Sequence, residues 1–369
     1  MRKAFKYRIY LTNGQRRMFE HQLEECRWVY NQTLELRRDS HANGVKCKLY
    51  DTQALLPIWK ADRPNLKLVH SQVVQNVQVR VDLAFDAFFR RVKQAAEDVG
   101  YPRFKRFGRY DSMTFPQYGN GVRLEGERLI LSKVGAVKLV VHRPVEGTPK
   151  NVTLTRSASG KWYACLSCET VAQPLEPTEQ IVGVDVGLTS FATLSNGEQI
   201  ENPRFYRKDE ADVKRVQKRK DAAKNAADWD ENRKQKGLLG KIHERISNRR
   251  SDFAHKRSRE LVNTYQVMVF EDLAPLEMGK SKGRGMRKSI MDVAWTQFIR
   301  MTIGKAADAC RTVILVDPRN TSKMCSDCGT LVQKTLSTRT HTCPKCGLVL
   351  DRDTNAAINI LQRGLQTLR

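Results

Sequence analysis

Seven side chains in this sequence have the types and spacing to do chemistry. Four are cysteines: Cys325-x2-Cys328 and, after a gap of fourteen residues, Cys343-x2-Cys346. Four thiolates in two short knuckles can surround one Zn²⁺ tetrahedrally. Each knuckle is followed by a glycine, Gly329 and Gly347, which lets the backbone turn around a metal. Sulfur at all four positions leaves no open coordination site, so the expected zinc is structural and single. Apparent zinc-binding energies of ~10–16 kcal/mol imply that such a lobe folds only with its metal.

The other three are carboxylates. Asp185 ends an apolar run in Gly183-Val184-Asp185-Val186-Gly187, and Glu271 ends another in Val267-Met268-Val269-Phe270-Glu271. Asp353 precedes an apolar helix in Asp351-Arg352-Asp353-Thr354-Asn355-Ala356-Ala357. An acid at the end of a buried strand is costly unless it is solvated, paired or metal-bound. Three acids brought together would repel, and divalent cations with oxygen ligands relieve that repulsion. Two Mg²⁺ roughly 3.5–4 Å apart would activate water and stabilise the leaving oxygen of a phosphodiester. Taken singly, each acid has a plainer reading: Asp185 as a turn residue, Glu271 as a solvated strand end, Asp353 as a helix N-cap. A strand-Asp-x-Gly also occurs in actin-like ATPases, which need further glycine-rich phosphate loops that this sequence lacks.

The elements that must position these groups follow from hydrophobic periodicity. Ile181–Asp185, Ser190–Leu194, Gln266–Phe270 and Val313–Val316 read as strands, with Asn196-Gly197 a hairpin turn. Residues from Pro203 to Leu261 read as long charged helix, Val293–Ala309 as a helix, and the glycine-rich basic stretch Lys280–Lys288 as mobile. Earlier in the chain, Met18, Leu23, Cys26, Val29, Tyr30 and Leu34 mark a helix from Asn13, its expected N-cap, to about Asp39. A second helix is expected from Ser71 to about Glu97, with Val74, Val77, Val81, Ala84, Phe85 and Phe88 inward. Gln75, Asn76, Gln78 and Arg80 would be free on its other face. Short strands follow from Ser112 to Thr170, with turns at Glu125-Gly126 and Ser159-Gly160, as in a small antiparallel barrel or sheet. Cys165 and Cys168 have CxxC spacing but would point to opposite faces of a strand, which makes them structural. The proline-bearing stretch Val171–Thr178 is the best domain boundary.

Composition narrows the function. In 369 residues Lys plus Arg number 65 and Asp plus Glu 40, a net charge of +25. So large an excess, spread along the chain, makes nucleic acid the leading partner. The loop Tyr101–Tyr110 interleaves cations with aromatics, and Arg103, Lys105 and Arg106 could meet phosphates while rings stack on bases. The helix positions Gln75, Asn76 and Arg80 are the other candidate contacts. No apolar run approaches the ~20 residues of a membrane span. The N-terminal Met1–Lys6 lacks the apolar segment of a secretory signal, and nine cysteines is an odd count. The expectation is a protein of the reducing cytoplasm, nucleoid-associated, with no membrane partner.

The order of these features resembles the TnpB (OrfB-type) family encoded by bacterial insertion sequences, which is related to type V CRISPR effectors. The resemblance rests on Phe5–Thr12, Cys26–Asn31, Tyr101–Lys105, Thr321–Cys325, Cys343–Gly347 and Asp351–Ala357, and covers nearly the whole chain. The middle helices match loosely. It implies a multidomain α/β protein. A RuvC/RNase H-like nuclease domain would occupy residues 179–319 and 349–369, with a zinc ribbon inserted at 320–348. A β-barrel wedge domain would occupy 1–10 and 112–178, with a helical recognition domain inserted at 11–111. It implies Asp185, Glu271 and Asp353 as the Mg²⁺-binding triad; Asp353 is preferred to Asp351 because it lies nearer Asn355-Ala356-Ala357. It implies a monomeric protein in a ribonucleoprotein, with a guide RNA from the element's end and target double-stranded DNA bearing a target-adjacent motif, cut on both strands. The alternatives are an RNA-guided DNA binder that does not cut, for which loss of triad acids would be expected, and an RNA-independent transposase or nuclease.

Overall fold

The first strand is stitched to residues far along the chain, between Lys138 and Glu169. β1 (Arg2–Tyr10) buries Phe5, Tyr7 and Ile9 on one face. It pairs antiparallel with β7 (Trp162–Glu169) from Arg2↔Glu169 to Ile9↔Trp162, and with β5 (Gly135–Val140) through Arg8↔Val140. The remaining strands are β2 (Ser112–Phe115), β3 (Val122–Glu125), β4 (Arg128–Leu131) and β6 (Thr148–Arg156). The order β2-β6-β7-β1-β5-β4-β3 is antiparallel throughout. Between β2 and β3, Tyr118 N–H donates to Lys150 O (2.8 Å) and Gly119 N–H to Val122 O (2.9 Å). These bonds tie the β2–β3 connection to β6 and to the start of β3, and the sheet is nearly closed. Cys165 is half-buried and Cys168 fully buried, as residues three apart on a strand should differ.

Among the described residues four α-helices and one short 3-10 helix (Pro64–Leu68) lie between β1 and β2; the α-helices are α1 (Asn13–Ala42), α2 (Leu49–Ala54), α3 (Leu56–Asp62) and α4 (Ser71–Lys93). Thr12, not Asn13, caps α1. Its hydroxyl accepts from Gln15 N–H, and the Gln15 side chain accepts from Thr12 N–H, both at 3.2 Å. α1 turns Phe19, Leu23, Cys26, Val29 and Leu34 inward, and Phe19 meets Trp162 of the sheet edge-on at 4.9 Å. α4 buries Val73, Val74, Val77, Val81 and Phe85 and ends at Lys93; the expected end at Glu97 lies outside the described residues. In this computed structural model the described residues are 1–96, 99–274, 278, 283–335 and 338–367.

The chain divides into two units, Met1–Thr170 and Val171–Arg369, at the start of the proline-bearing stretch. The second unit is built on five strands: β8 (Ile181–Val186), β9 (Ser190–Leu194), β10 (Gln199–Glu201), β11 (Val267–Glu271) and β12 (Thr312–Val316). Their order is β10-β9-β8-β11-β12, with β11 parallel to both neighbours and β9 antiparallel to β8. β8 and β11 are apolar runs because both sheet faces are covered. One face packs Val184, Phe270 and Phe298, the other Val269, Val316 and Ile360.

The charged stretch after β10 forms two helices, α5 (Phe205–Asn225) and α6 (Trp229–Thr264), because Ala227 adopts a positive φ and Asp228 caps the second. The helix expected over Val293–Ala309 is α8 (Trp295–Asp308); Ala294, left-handed at φ 57°, separates it from α7 (Arg284–Val293). The stretch expected to be mobile is helical from Arg284 onward; residues 280–282 lie outside the described set. Two short strands, β13 (Thr340–Thr342) and β14 (Val349–Asp351), lead into α9 (Arg352–Gln366).

α9 lies flush on the sheet at two glycines. A Cβ on Gly183 of β8 would stand 2.1 Å from Ala357 O, and one on Gly364 would stand 2.5 Å from the Val269 side chain. Among the described residues no helix is long and apolar enough to cross a membrane.

Candidate acid and metal centres

Parallel pairing brings two of the acids side by side. The β8–β11 register aligns Val184 with Phe270, so Asp185 and Glu271 come next along adjacent strands, at their carboxyl ends. That edge is where open α/β sheets bind ligands. α9 starts beside them and carries Asp353 in its first turn.

The Asp185 carboxylate accepts no hydrogen bond from any described residue. Its carboxyl is held well above the usual range, by burial first and then by the charges of Glu271 and Asp353, with Arg352 opposing. Glu271 is 8% exposed and is raised by burial, against a hydrogen bond from Thr321 and the charge of Arg363. Asp353 is flanked by cations, with Arg352 Nε at 2.9 Å and Arg339 Nη1 at 3.6 Å. A half-buried acid without a donor, pushed towards neutrality by desolvation and then by two other acids, fits a position that a cation would hold.

Asp351 does something else. Its Oδ1 accepts from Asp353 N–H (3.0 Å), Thr354 N–H (2.9 Å) and the Thr354 hydroxyl (3.2 Å). Asp351 is therefore the N-cap of α9, the role the plainer reading gave to Asp353.

The cysteines converge more tightly. Among the described residues they are the one group of metal-ligating side chains whose donor atoms all lie within 4.8 Å of one another. Cys325 and Cys346 sulfurs are 3.6 Å apart, those of Cys328 and Cys343 3.5 Å. Gly329 N–H returns to Cys325 O and Gly347 N–H to Cys343 O, each at 3.0 Å, closing the knuckles at positive φ. Hydrogen bonding from Thr330 draws the Cys328 thiol down to about 6, towards the thiolate a metal needs.

Between the two centres runs a polar seam that periodicity did not reveal. Asn355 donates to Met324 O (2.8 Å) and accepts from Ser326 N–H (3.0 Å). Asn359 donates to Thr321 O (2.8 Å) and Met324 O (2.7 Å), and Gln362 to Ser326 O (2.9 Å). The available signal was Asn355 and Asn359, two amides four residues apart on a stripe that is otherwise apolar.

The expected nucleic-acid contacts separate into two kinds. Arg80 is not free: it donates to Tyr110 Oη (3.2 Å), Ser112 O (3.0 Å) and Thr114 Oγ1 (2.7 Å), tying α4 to β2. Asn76 accepts from Arg80 Nε (3.2 Å), and Gln78 is fully buried, donating to Thr52 O (2.7 Å). Gln78 sits between Val74 and Val81 in the helical repeat, which puts it inside. Gln75, Arg103 and Arg106 are exposed, as is Phe107 at 81%. Lys105 is half-buried, with its backbone held by Asn31 on both sides and its Nζ 5.4 Å from the centre of the Tyr30 ring.

Comparison with known proteins agrees with this layout. The family described as "Probable transposase" matches residues 160–282, a "Helix-turn-helix domain" residues 1–46, and a "Cas12f1-like, TNB domain" residues 295–360. A Streptomyces pristinaespiralis protein named "Putative RNA-guided DNA endonuclease" is 34% identical over 99% of this chain and 90% of its own. The Escherichia coli K12 protein "Putative RNA-guided DNA endonuclease InsQ" is 32% identical over 98% and 92%. The solved structure of "the mini-RNA-guided endonuclease CRISPR-Cas_phi3" shares the fold with a TM-score of 0.55 at 11% identity, covering 99% of this chain and 92% of that one. The chain belongs to the TnpB (OrfB-type) family, as its motifs led us to expect.

Proposed function

We propose that this protein is an RNA-guided DNA endonuclease that takes a guide RNA from its mobile element and cuts double-stranded DNA beside a short target-adjacent motif. Base pairing would read the sequence while the protein reads backbone shape and the motif, which suits a net charge of +25. The carrying observation is Asp185, half-buried without a donor beside Glu271 and Asp353 at the carboxyl edge of the sheet. The strand order β10-β9-β8-β11-β12 supports a RuvC/RNase H-like reading of residues 179–319 and 349–369. The nearly closed sheet supports the wedge reading of 1–10 and 112–178, with 11–111 as the recognition insertion.

Asp185, Glu271 and Asp353 would hold Mg²⁺, which when bound supplies Lewis acidity and a water acidic enough to attack a phosphodiester. Glu271 is oriented by the Thr321 hydroxyl. Arg339 and Arg352, already paired with Asp353, bring positive charge to where a phosphate would approach. The cysteine quartet would hold one structural Zn²⁺ and keep the 320–348 lobe folded. Arg103, Arg106 and Gln75 remain the candidate nucleic-acid contacts of the first unit.

The test is to express the protein with its native flanking DNA and sequence the RNA that co-purifies. A discrete RNA from the element's end, followed by Mg²⁺-dependent cutting of a matched plasmid that Asp185→Ala abolishes, is the expected result. Heterogeneous, salt-labile RNA with strand-transfer products would put the RNA-independent transposase first. Guided binding without cutting would put the regulator first.

A further inference from the structure

Glu271 is the one acid of the three whose carboxylate is gripped by a neutral donor. The Thr321 hydroxyl, itself 4% exposed, stands 2.6 Å from Glu271 Oε1. It also lies 3.1 Å from Pro318 O, but the shorter, charge-assisted bond to the carboxylate is the stronger claim on its single proton. A carboxylate bonded through one oxygen keeps the other for a second partner.

Thr321 is itself fixed. Its carbonyl accepts from Asn359 Nδ2 at 2.8 Å, and the other N–H of that amide goes to Met324 O at 2.7 Å. Met324 O also accepts from Asn355, and the next residue is Cys325, the first sulfur ligand. The same helix, α9, carries Asp353. A short run of backbone therefore links the first cysteine knuckle to the Glu271 carboxylate, with α9 as the rail on which both are mounted.

We propose that Thr321 is a positioning residue for Glu271: its hydroxyl fixes one carboxylate oxygen and leaves the other turned to the cation. The inference rests on the metal-binding reading of the three acids. Hydrogen bonds to the outer side of metal ligands are worth roughly 10–100-fold in metal affinity.

The experiment uses the purified ribonucleoprotein of the full chain, with Mn²⁺ as the probe. Binding is followed by loss of the free-ion electron paramagnetic resonance signal in the absence of target DNA. Three variants are compared with the parent: Thr321→Val, which keeps shape and loses the hydroxyl, Thr321→Ser, which keeps the hydroxyl, and Asp185→Ala. Zinc content and thermal midpoint are recorded for each.

The expected result is that Thr321→Val weakens the Asp185-dependent Mn²⁺ site about tenfold or more, with zinc still one per chain, and that Thr321→Ser restores it. Parent-like Mn²⁺ affinity in Thr321→Val overturns the proposal alone. Equal loss in Thr321→Val and Thr321→Ser, with zinc content falling in both, also overturns it, because the residue then only supports the knuckle. No Mn²⁺ site in the parent that Asp185→Ala removes overturns the acid-centre reading itself, a result distinct from the other two.

Discussion

The two centres of the second unit form a contrast. The cysteines lie within 22 residues of sequence, and their sulfurs converge within 4.8 Å. The acids come from strands β8 and β11 and from helix α9, and they meet because the sheet is parallel at that place. The cysteine centre is made by local turns that glycine permits. The acid centre is made by a whole fold, which raises the Asp185 carboxyl first by desolvation and then by the charges of its neighbours. The first kind of site is complete within its own lobe; the second depends on the strands and helix around it.

That contrast can be broken in four ways. The largest effect should come from the sulfur side. Replacing Cys343 by Ser, or stripping the metal with a chelator, should melt residues 320–348, since apparent zinc-site energies reach ~10–16 kcal/mol. Limited proteolysis would show new cuts there while the five-stranded core stays resistant. If the lobe stays protected, the centre is not what folds it.

Next is Asp185→Ala. Cleavage should fall by at least on the order of a hundred- to a thousandfold, the usual loss for removing a preorganised electrostatic group. RNA binding should be unchanged in a filter assay. Cutting that survives would remove Asp185 from the triad.

A smaller effect separates two neighbours. Asp351→Ala should cost ~0.5–2 kcal/mol in thermal or denaturant unfolding through its lost cap. Asp353→Asn should leave stability nearly alone and lower cutting. Exchange of those two outcomes would reverse the assignment of the acids.

The smallest is Asp185→Asn in metal-free protein. The folded-state pKa of Asp185 is raised, so its favourable contribution is full below the unfolded value near ~3.9 and is lost as pH rises through the folded value. At pH 8 the variant should therefore melt above the parent by a few degrees, ~2–4 °C per kcal/mol for a unit of this size. The gap should close towards pH 4. Added Mg²⁺ should stabilise the parent and not the variant.

The contrast also explains what could be read in advance. The cysteine quartet was legible because its spacing is its geometry. Asp185 and Glu271 were legible as acids ending apolar runs and Asp353 as an acid just before an apolar helix. The Thr321–Glu271 bond was not legible, because 50 residues separate its partners and nothing in the chain marks their pairing. Arg80 was misread for the opposite reason: a cation on a helix face is generic, and only the placement of Ser112 and Thr114 shows that the fold uses it. The break at Ala294 is a tertiary choice, since no Gly or Pro stands beside it to stop a helix. The seat of β1 between β7 and β5 is likewise invisible to periodicity, which says that Phe5, Tyr7 and Ile9 face inward but not against what.

Gly183 and Gly364 set a mechanical limit on the acid centre. With Ala357 O and the Val269 side chain where their β-carbons would be, the helix bearing Asp353 cannot sink towards the strand bearing Asp185. The floor of the centre behaves as a gauge block whose thickness is set by two absent carbon atoms. Arg339, by contrast, holds Asp353 and Thr189 only through its side chain, at 3.6 and 2.7 Å. An alanine at Gly183 would push against Ala357 O and Leu361, so the helix that bears Asp353 would have to move off the strand that bears Asp185.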